Sequence, residues 1–147
     1  MSNKISDLDY SIQKAAKQTF DEMNASMKLK ELGVEKVAIS ETRRSLAVQM
    51  AYYSRGRMQP GDVKRMYSAA GLYDISENEA KKKNTNTLYS NHLSGQAIDF
   101  VPVKDGRYWW TAPEEVWEEM GKIGEANGFK WGGRWKDFPD SPHFEKV

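Results

Sequence analysis

His92 and His143 are the only histidines in the chain, and each stands in a constrained stretch with aspartate close by. Around the first the chain reads Ser90-Asn91-His92-Leu93-Ser94-Gly95-Gln96-Ala97-Ile98-Asp99, and around the second Asp137-Phe138-Pro139-Asp140-Ser141-Pro142-His143-Phe144-Glu145. Imidazole and carboxylate are ligands for a divalent ion, and three protein ligands with one open place is the arrangement of a catalytic zinc, whose bound water ionises near neutral pH. For His92 and Asp99 to share an ion the chain must bend between them. One helix would separate them by about 10 Å along its axis, and one unbroken strand would point them to opposite faces. Ser94-Gly95 is where a bend is available. His92 then lies on a loop and Asp99 on the strand that follows, with the small Ala97 on the same face.

Pro139 and Pro142 fix φ at two places and bias Phe138 and Ser141 to extended backbone. Asp140 and His143 straddle this stiff turn, so one can bind metal while the other stays near it. A free carboxylate there can take a proton from water and hand it to a departing amine. Asp137 and Glu145 are rivals for that role; Glu145, two residues beyond His143 on a strand, would share its face and could orient the imidazole. The competing reading of either histidine is a hydrogen-bonded structural residue.

The elements that must position these residues are read from periodicity and punctuation. Leu8, Ile12, Ala16, Phe20, Met23 and Met27 recur at three and four positions, which predicts one helix from Asp7 to about Leu32, stopped by Gly33. A short strand over Val34 to Ile39 follows, then helices from about Ser45 to Tyr53 and from Pro60 to near Gly71. Residues Tyr73 to Ser90 carry no period and read as a polar, lysine-rich loop around Lys81-Lys82-Lys83. Gln96 to Val103 reads as a strand. Thr111-Ala112-Pro113-Glu114 has capping-box spacing and starts a helix ending at Asn127-Gly128, with Trp109-Trp110 as a staple before it. Phe129 to Trp131 and His143 to Lys146 read as short strands around a turn at Gly132-Gly133. Helices first and strands later give an α+β domain. Trp131 and Trp135 read as core, with groove lining as the alternative.

One domain fits 147 residues, and 39% hydrophobic with 29% charged residues excludes a disordered chain. A formal charge of +1 gives no drive towards nucleic acid or an anionic membrane. With no cysteine, disulfides, thiolate metal sites and cysteine nucleophiles are excluded. No run is long and apolar enough to span a bilayer, and the amino terminus lacks a secretory pattern. The expectation is synthesis in a cytoplasm, with release by some other agent if the substrate lies outside.

Three ordered blocks resemble a known family. Ser-x-His-x-x-Gly-x-Ala-x-Asp over Ser90 to Asp99, the stretch Trp131-Gly132-Gly133-Arg134-Trp135 through Glu145, and Glu41-Thr42-Arg43-Arg44-Ser45 through Gln49 to Arg55-Gly56-Arg57 are similar to the L-alanyl-D-glutamate peptidases of bacteriophage endolysins. These belong with the D-alanyl-D-alanine carboxypeptidases and dipeptidases of the LAS zinc group, which also includes the hedgehog signalling domain. The resemblance covers most of residues 36 to 147 and leaves the N-terminal helix, residues 1 to 33, uncovered. It implies a small antiparallel sheet that carries a zinc site and packs against helices. His92, Asp99 and His143 become the zinc ligands, Asp140 the catalytic acid/base, and Arg44 an arginine near the reaction centre that polarises a carbonyl or holds a carboxylate. Two positions depart from the pattern, neither of them a ligand position: Arg43 replaces a tyrosine, which bears on the surroundings of Arg44, and Arg134 stands where an acidic residue is expected, which bears on substrate preference.

The function so implied is hydrolysis of the L-Ala–D-Glu bond in the stem peptide of bacterial peptidoglycan by a monomeric phage endolysin. It is made in the host cytoplasm, reaches the wall through a pore formed by another protein, and inserts in no membrane. The alternatives are a D-Ala-D-Ala carboxypeptidase or dipeptidase on the same metal site, and a non-catalytic zinc module that binds a partner.

Overall fold

A computed structural model describes residues 1–147. The helices are α1 (Tyr10–Ala25), α2 (Met27–Glu31), α3 (Leu46–Ser54), α4 (Pro60–Ala69), α5 (Glu77–Ala80) and α6 (Glu114–Ala126). The strands are β1 (Lys36–Glu41), β2 (Ala97–Lys104), β3 (Arg107–Tyr108), β4 (Lys130–Trp131) and β5 (His143–Glu145), with short 3-10 turns at Ile5–Asp7 and Gly132–Arg134. The sheet runs β1-β2-β5-β4, every pair antiparallel, and β3 also pairs with β2. No helix is long and apolar enough to cross a membrane.

The helical period seen at the N-terminus is real but the helix is not continuous. Ile12, Ala16, Thr19 and Met23 form the buried stripe of α1, as the 3.6-residue repeat requires. At Ser26 the backbone turns extended (ψ 114°) and its side chain accepts a hydrogen bond from the Leu29 amide, which caps α2 and ends α1. The N-terminal residues before α1 form a 3-10 turn instead of helix. Within Tyr73 to Ser90, Ser76 caps the short α5. The expected capping box at Thr111 is absent: Pro113 is the N-cap residue of α6 and no side chain caps it. β3 lies outside the elements expected from periodicity. It follows a two-residue turn in which Asp105 (φ 53°) and Gly106 (φ 72°) both have positive φ, the backbone of a tight hairpin.

The main core joins α1, α2 and α6 to the inner face of the sheet through Ile12, Met23, Phe100, Met120, Trp131 and Phe144 among others. Full burial of one such side chain contributes roughly 1.5–3 kcal/mol. Close packing of α6 on β4 and β5 depends on Gly121 and Gly124, where a Cβ would overlap the Trp131 and Phe144 rings. Trp131 is thus core, and its indole N–H donates to the Ser141 carbonyl at 2.7 Å. A smaller cluster of Ala51, Val63, Tyr67, Ile75 and Ala80 holds α3, α4 and α5 together.

The N-terminal segment does more than pack. Ser2 exchanges backbone hydrogen bonds with Arg43 (3.0 Å) and Thr42 (2.7 Å), extending pairing beyond β1, and the Asp9 amide donates to the Gly95 carbonyl at 2.9 Å. It therefore ties down both loops that carry candidate site residues.

Candidate metal centre

β2 and β5 pair with Asp99 opposite His143, so the two side chains share a face. His92 reaches the same point from the loop before β2, where the turn closes with Gly95 at φ +74°. His92 Nε2 lies 3.1 Å and His143 Nδ1 3.4 Å from Asp99 Oδ1. The three donor atoms all lie within 4.8 Å of one another. Donors about 2.0–2.2 Å from one tetrahedral zinc stand roughly 3.3–3.6 Å apart, so the two measured edges suit such an ion.

The far sides of both rings support the same fit. His92 Nδ1 is 2.6 Å from the Thr42 carbonyl oxygen, which can only accept; Nδ1 therefore carries the proton, and Nε2 turns its lone pair to the centre. His143 Nε2 is 2.8 Å from Glu145 Oε1, and Asn91 donates to the other Glu145 oxygen at 2.9 Å. Outer partners of this kind fix ring orientation and tautomer in metal sites. A nitrogen, nitrogen and carboxylate-oxygen donor set with both imidazoles braced from behind can hold a divalent ion.

Electrostatics around the three residues are strongly perturbed. Burial pushes the Asp99 carboxyl up, but the two imidazoles beside it outweigh burial and hold the group below the usual carboxylate range. Burial pulls the His143 imidazole down; hydrogen bonds to Asp99 and Glu145 overcome it and raise the group to about 9. The hydrogen bond from His143 lowers Glu145. Asp140 moves the other way: burial first, then the Asp99 charge, raise its carboxyl. A carboxyl shifted upwards beside a candidate metal centre suits proton transfer.

A groove of about 850 Å³ runs over the centre and is also lined by Asp140, Arg44 and Tyr52. Asp140 is set by the turn between Gly132 and His143, its amide donating to Gly132 at 2.9 Å while its carbonyl accepts from the His143 amide at 3.2 Å. Arg44, with a side chain 11% exposed, follows β1 and bonds through Nε to Glu41 and through Nη1 to Gln49 Oε1 at 2.7 Å. Its guanidinium sits 4.8 Å from the Tyr52 ring centroid. Gln49 also donates to the Thr87 carbonyl at 2.7 Å, so one buried amide couples Arg44 to the loop before His92.

Asp137, Arg134 and the lysines Lys81 to Lys83 fall outside the groove lining. Asp137 is exposed and does not line the groove. Arg134 turns away to α6, pairing with Glu118 (2.8 Å) and Glu125 (3.0 Å), which removes it from a role in substrate preference through direct contact. The lysines Lys81, Lys82 and Lys83 are exposed, whereas Asn84 to Thr87 line the groove. Glu41 and Tyr52 are groove residues that spacing did not single out. Glu41 is 6% exposed and lies 3.9 Å from His92 Nδ1 as well as against Arg44; its position opposite Asp99 in the β1–β2 register appears only once the strands are paired.

Comparison with known proteins gives the family of the chain. The family model described as D-alanyl-D-alanine carboxypeptidase matches residues 83–146, which hold His92, Asp99, Asp140 and His143. The peptidoglycan L-alanyl-D-glutamate endopeptidase CwlK of Bacillus subtilis (strain 168) is 32% identical over 139 residues, 89% of this chain and 71% of that protein. The L-alanyl-D-glutamate peptidase of Listeria phage A118 is 38% identical over 60 residues, covering 40% of this chain and only 21% of its own length. Among solved structures, the Serratia marcescens L-Ala D-Glu endopeptidase ChiX superposes with a TM-score of 0.60 over 97% of this chain and 83% of that one, at 19% identity, so the α+β fold is shared. By its extended identity to CwlK and its match to the family model, the chain belongs to the D-alanyl-D-alanine carboxypeptidase superfamily of metallopeptidases.

Proposed function

We propose that the protein is a zinc-dependent endopeptidase that hydrolyses the L-Ala–D-Glu bond of the peptidoglycan stem peptide. The observation that carries this reading is the convergence of His92 Nε2, Asp99 Oδ1 and His143 Nδ1, with the other nitrogen of each imidazole already engaged by Thr42 or Glu145. The bond specificity rests on the relatives named for it.

In this reading His92, Asp99 and His143 hold the ion. Bound zinc supplies Lewis-acid polarisation of a carbonyl and acidifies water. Asp140, its carboxyl raised by burial and by Asp99, takes the proton of the attacking water and delivers it to the departing D-Glu nitrogen. Arg44 has Nε and Nη1 committed to Glu41 and Gln49, which leaves Nη2 to bind a substrate carbonyl or carboxylate. Glu41 offsets the Arg44 charge and fixes its plane. Glu145 and the Thr42 carbonyl hold the two rings in register.

The same proposal treats residues 1–147 as one peptidase domain working as a monomer on the wall, in the manner of a phage lysis enzyme; similarity to the Listeria phage peptidase supports that role. Digestion of purified sacculi with and without chelator, followed by mass spectrometry, tests it. Chelator-sensitive release of peptides that begin with D-Glu is the expected result. Loss of terminal D-Ala instead would assign a carboxypeptidase, and intact sacculi with a metal-loaded protein would leave a binding module.

A further inference from the structure

We infer that the aromatic side of the groove, formed by Trp135, Phe138, Trp110 and Tyr108, receives the N-acetylmuramyl sugar that carries the stem peptide, while the rest of the stem runs towards Arg44 and Tyr52. The inference rests on the proposed L-Ala–D-Glu specificity and gives that site a substrate direction.

Sheet topology separates the two sides. β1 lies on one edge of β2 and leads into Arg44; β5 and β3 lie end to end on the other edge, β5 against Ala97–Asp99 and β3 against Val103–Lys104. Tyr108 is opposite Val103, four residues from Asp99, and so projects from the same face. Trp110 packs edge-on to Tyr108 with centroids 5.8 Å apart. The Trp135 ring is 5.0 Å from the His143 ring. These four side chains all line the groove, yet they remain 39–53% exposed, a concentration of aromatic surface that the core does not use.

The other side has a different chemistry. Beyond Arg44 the groove lining continues through Tyr52, Tyr67 and Tyr73 to a second guanidinium, Arg55. Two cations on this side suit a peptide rich in carboxylates.

The substrate has the matching asymmetry. The scissile carbonyl belongs to L-Ala, the first residue of the stem, and its nitrogen is acylated by the lactyl group of muramic acid. Two residue lengths at roughly 3.3–3.6 Å each put the sugar about 7 Å from that carbonyl. An enzyme cutting this bond in the intact wall must accommodate the sugar beside the metal. A pyranose presents a face of C–H groups with polar groups at its rim, which Trp and Tyr match with an apolar ring and one polar handle. The D-Glu side carries the carboxylates and falls to Arg44.

The test compares kcat/KM of the zinc-loaded full chain on N-acetyl-L-Ala-D-Glu-L-Lys and on the same tripeptide capped by N-acetylmuramic acid. The expected result is a preference for the muramyl substrate of at least about fivefold, expressed in KM. Trp110→Ala and Trp135→Ala should bring the ratio towards one, and Trp110→Phe should keep most of it. A wild-type ratio near one, or variants that slow both substrates equally, overturns the inference and leaves the bond specificity standing. If the wild type cuts neither substrate, the specificity and this inference fall together.

Discussion

Glu145 and His143 alternate with Phe144 on β5 so that their side chains meet on one face, Nε2 standing 2.8 Å from Oε1, while Phe144 between them enters the core. The carboxylate therefore acts on the proposed metal through the imidazole. Glu145→Gln keeps an acceptor oxygen and removes the charge. It is expected to lower zinc affinity by about 10- to 100-fold with little change in melting temperature of the metal-free protein, as measured by chelator competition. Unchanged affinity would mean that the ring is held by packing alone.

Asp140 separates catalysis from binding. Asp140→Asn preserves shape and removes the acid/base function, so the variant should keep its zinc and its fold while turnover on sacculi falls by about 10²- to 10⁴-fold. Metal content per chain and fragment release are read on the same preparation. A variant that loses the metal would identify Asp140 as a ligand, and one that retains activity would remove it from the reaction.

How much of this was legible beforehand depends on the range over which each residue acts. The bend at Gly95 follows from two residues seven apart that cannot share an ion in a helix or a strand, and the alternation of His143 with Glu145 follows from strand period. Both are local. Asp105-Gly106 is equally local, an Asp-Gly hairpin signal at the β2–β3 turn. Ser26 was hidden because apolar spacing continues across the break while the cap is supplied by one hydroxyl. Gln49 and Tyr52 meet Arg44 only after α3 folds back on the end of β1, and Arg134 meets Glu118 and Glu125 only after α6 packs beside the Gly132 turn. No short-range pattern marks such contacts.

As a proposed ligand, His143 is a place where protons would compete with metal. In chelator-treated protein burial works against the imidazolium, but Asp99 and Glu145 raise its pKa from 6.5 to about 9. The sign follows: the bound proton stabilises the metal-free fold fully below pH 6.5, and that stabilisation fades as pH rises through about 9. A ligating nitrogen must be unprotonated, so below about pH 9 zinc displaces a proton and the apparent affinity climbs with pH before levelling off above that value. Titration calorimetry at pH 7.5 in two buffers of different ionisation enthalpy should show a buffer-dependent heat equivalent to nearly one proton released. Equal heats in both buffers would contradict the assignment of His143 as a ligand with this raised pKa.

Gly95 is the backbone hinge on which the site depends. Its φ of +74° disfavours any side chain, and a Cβ there would stand 2.7 Å from the Asp9 amide nitrogen and 3.2 Å from the Leu8 carbonyl carbon, inside the contact that docks the N-terminal segment. Gly71 has a similar φ of +75° but open space around it, and so isolates the conformational cost. Gly71→Ala is expected to lose about 1 kcal/mol and keep full zinc affinity. Gly95→Ala must also displace Asp9 or shift the His92 turn; a loss of about 2–4 kcal/mol is expected from the added strain and overlap, together with weaker zinc binding because His92 moves relative to Asp99. Thermal melts and chelator competition on both variants decide the matter. If Gly95→Ala matches Gly71→Ala in both measurements, the N-terminal segment does not set the geometry of the metal loop.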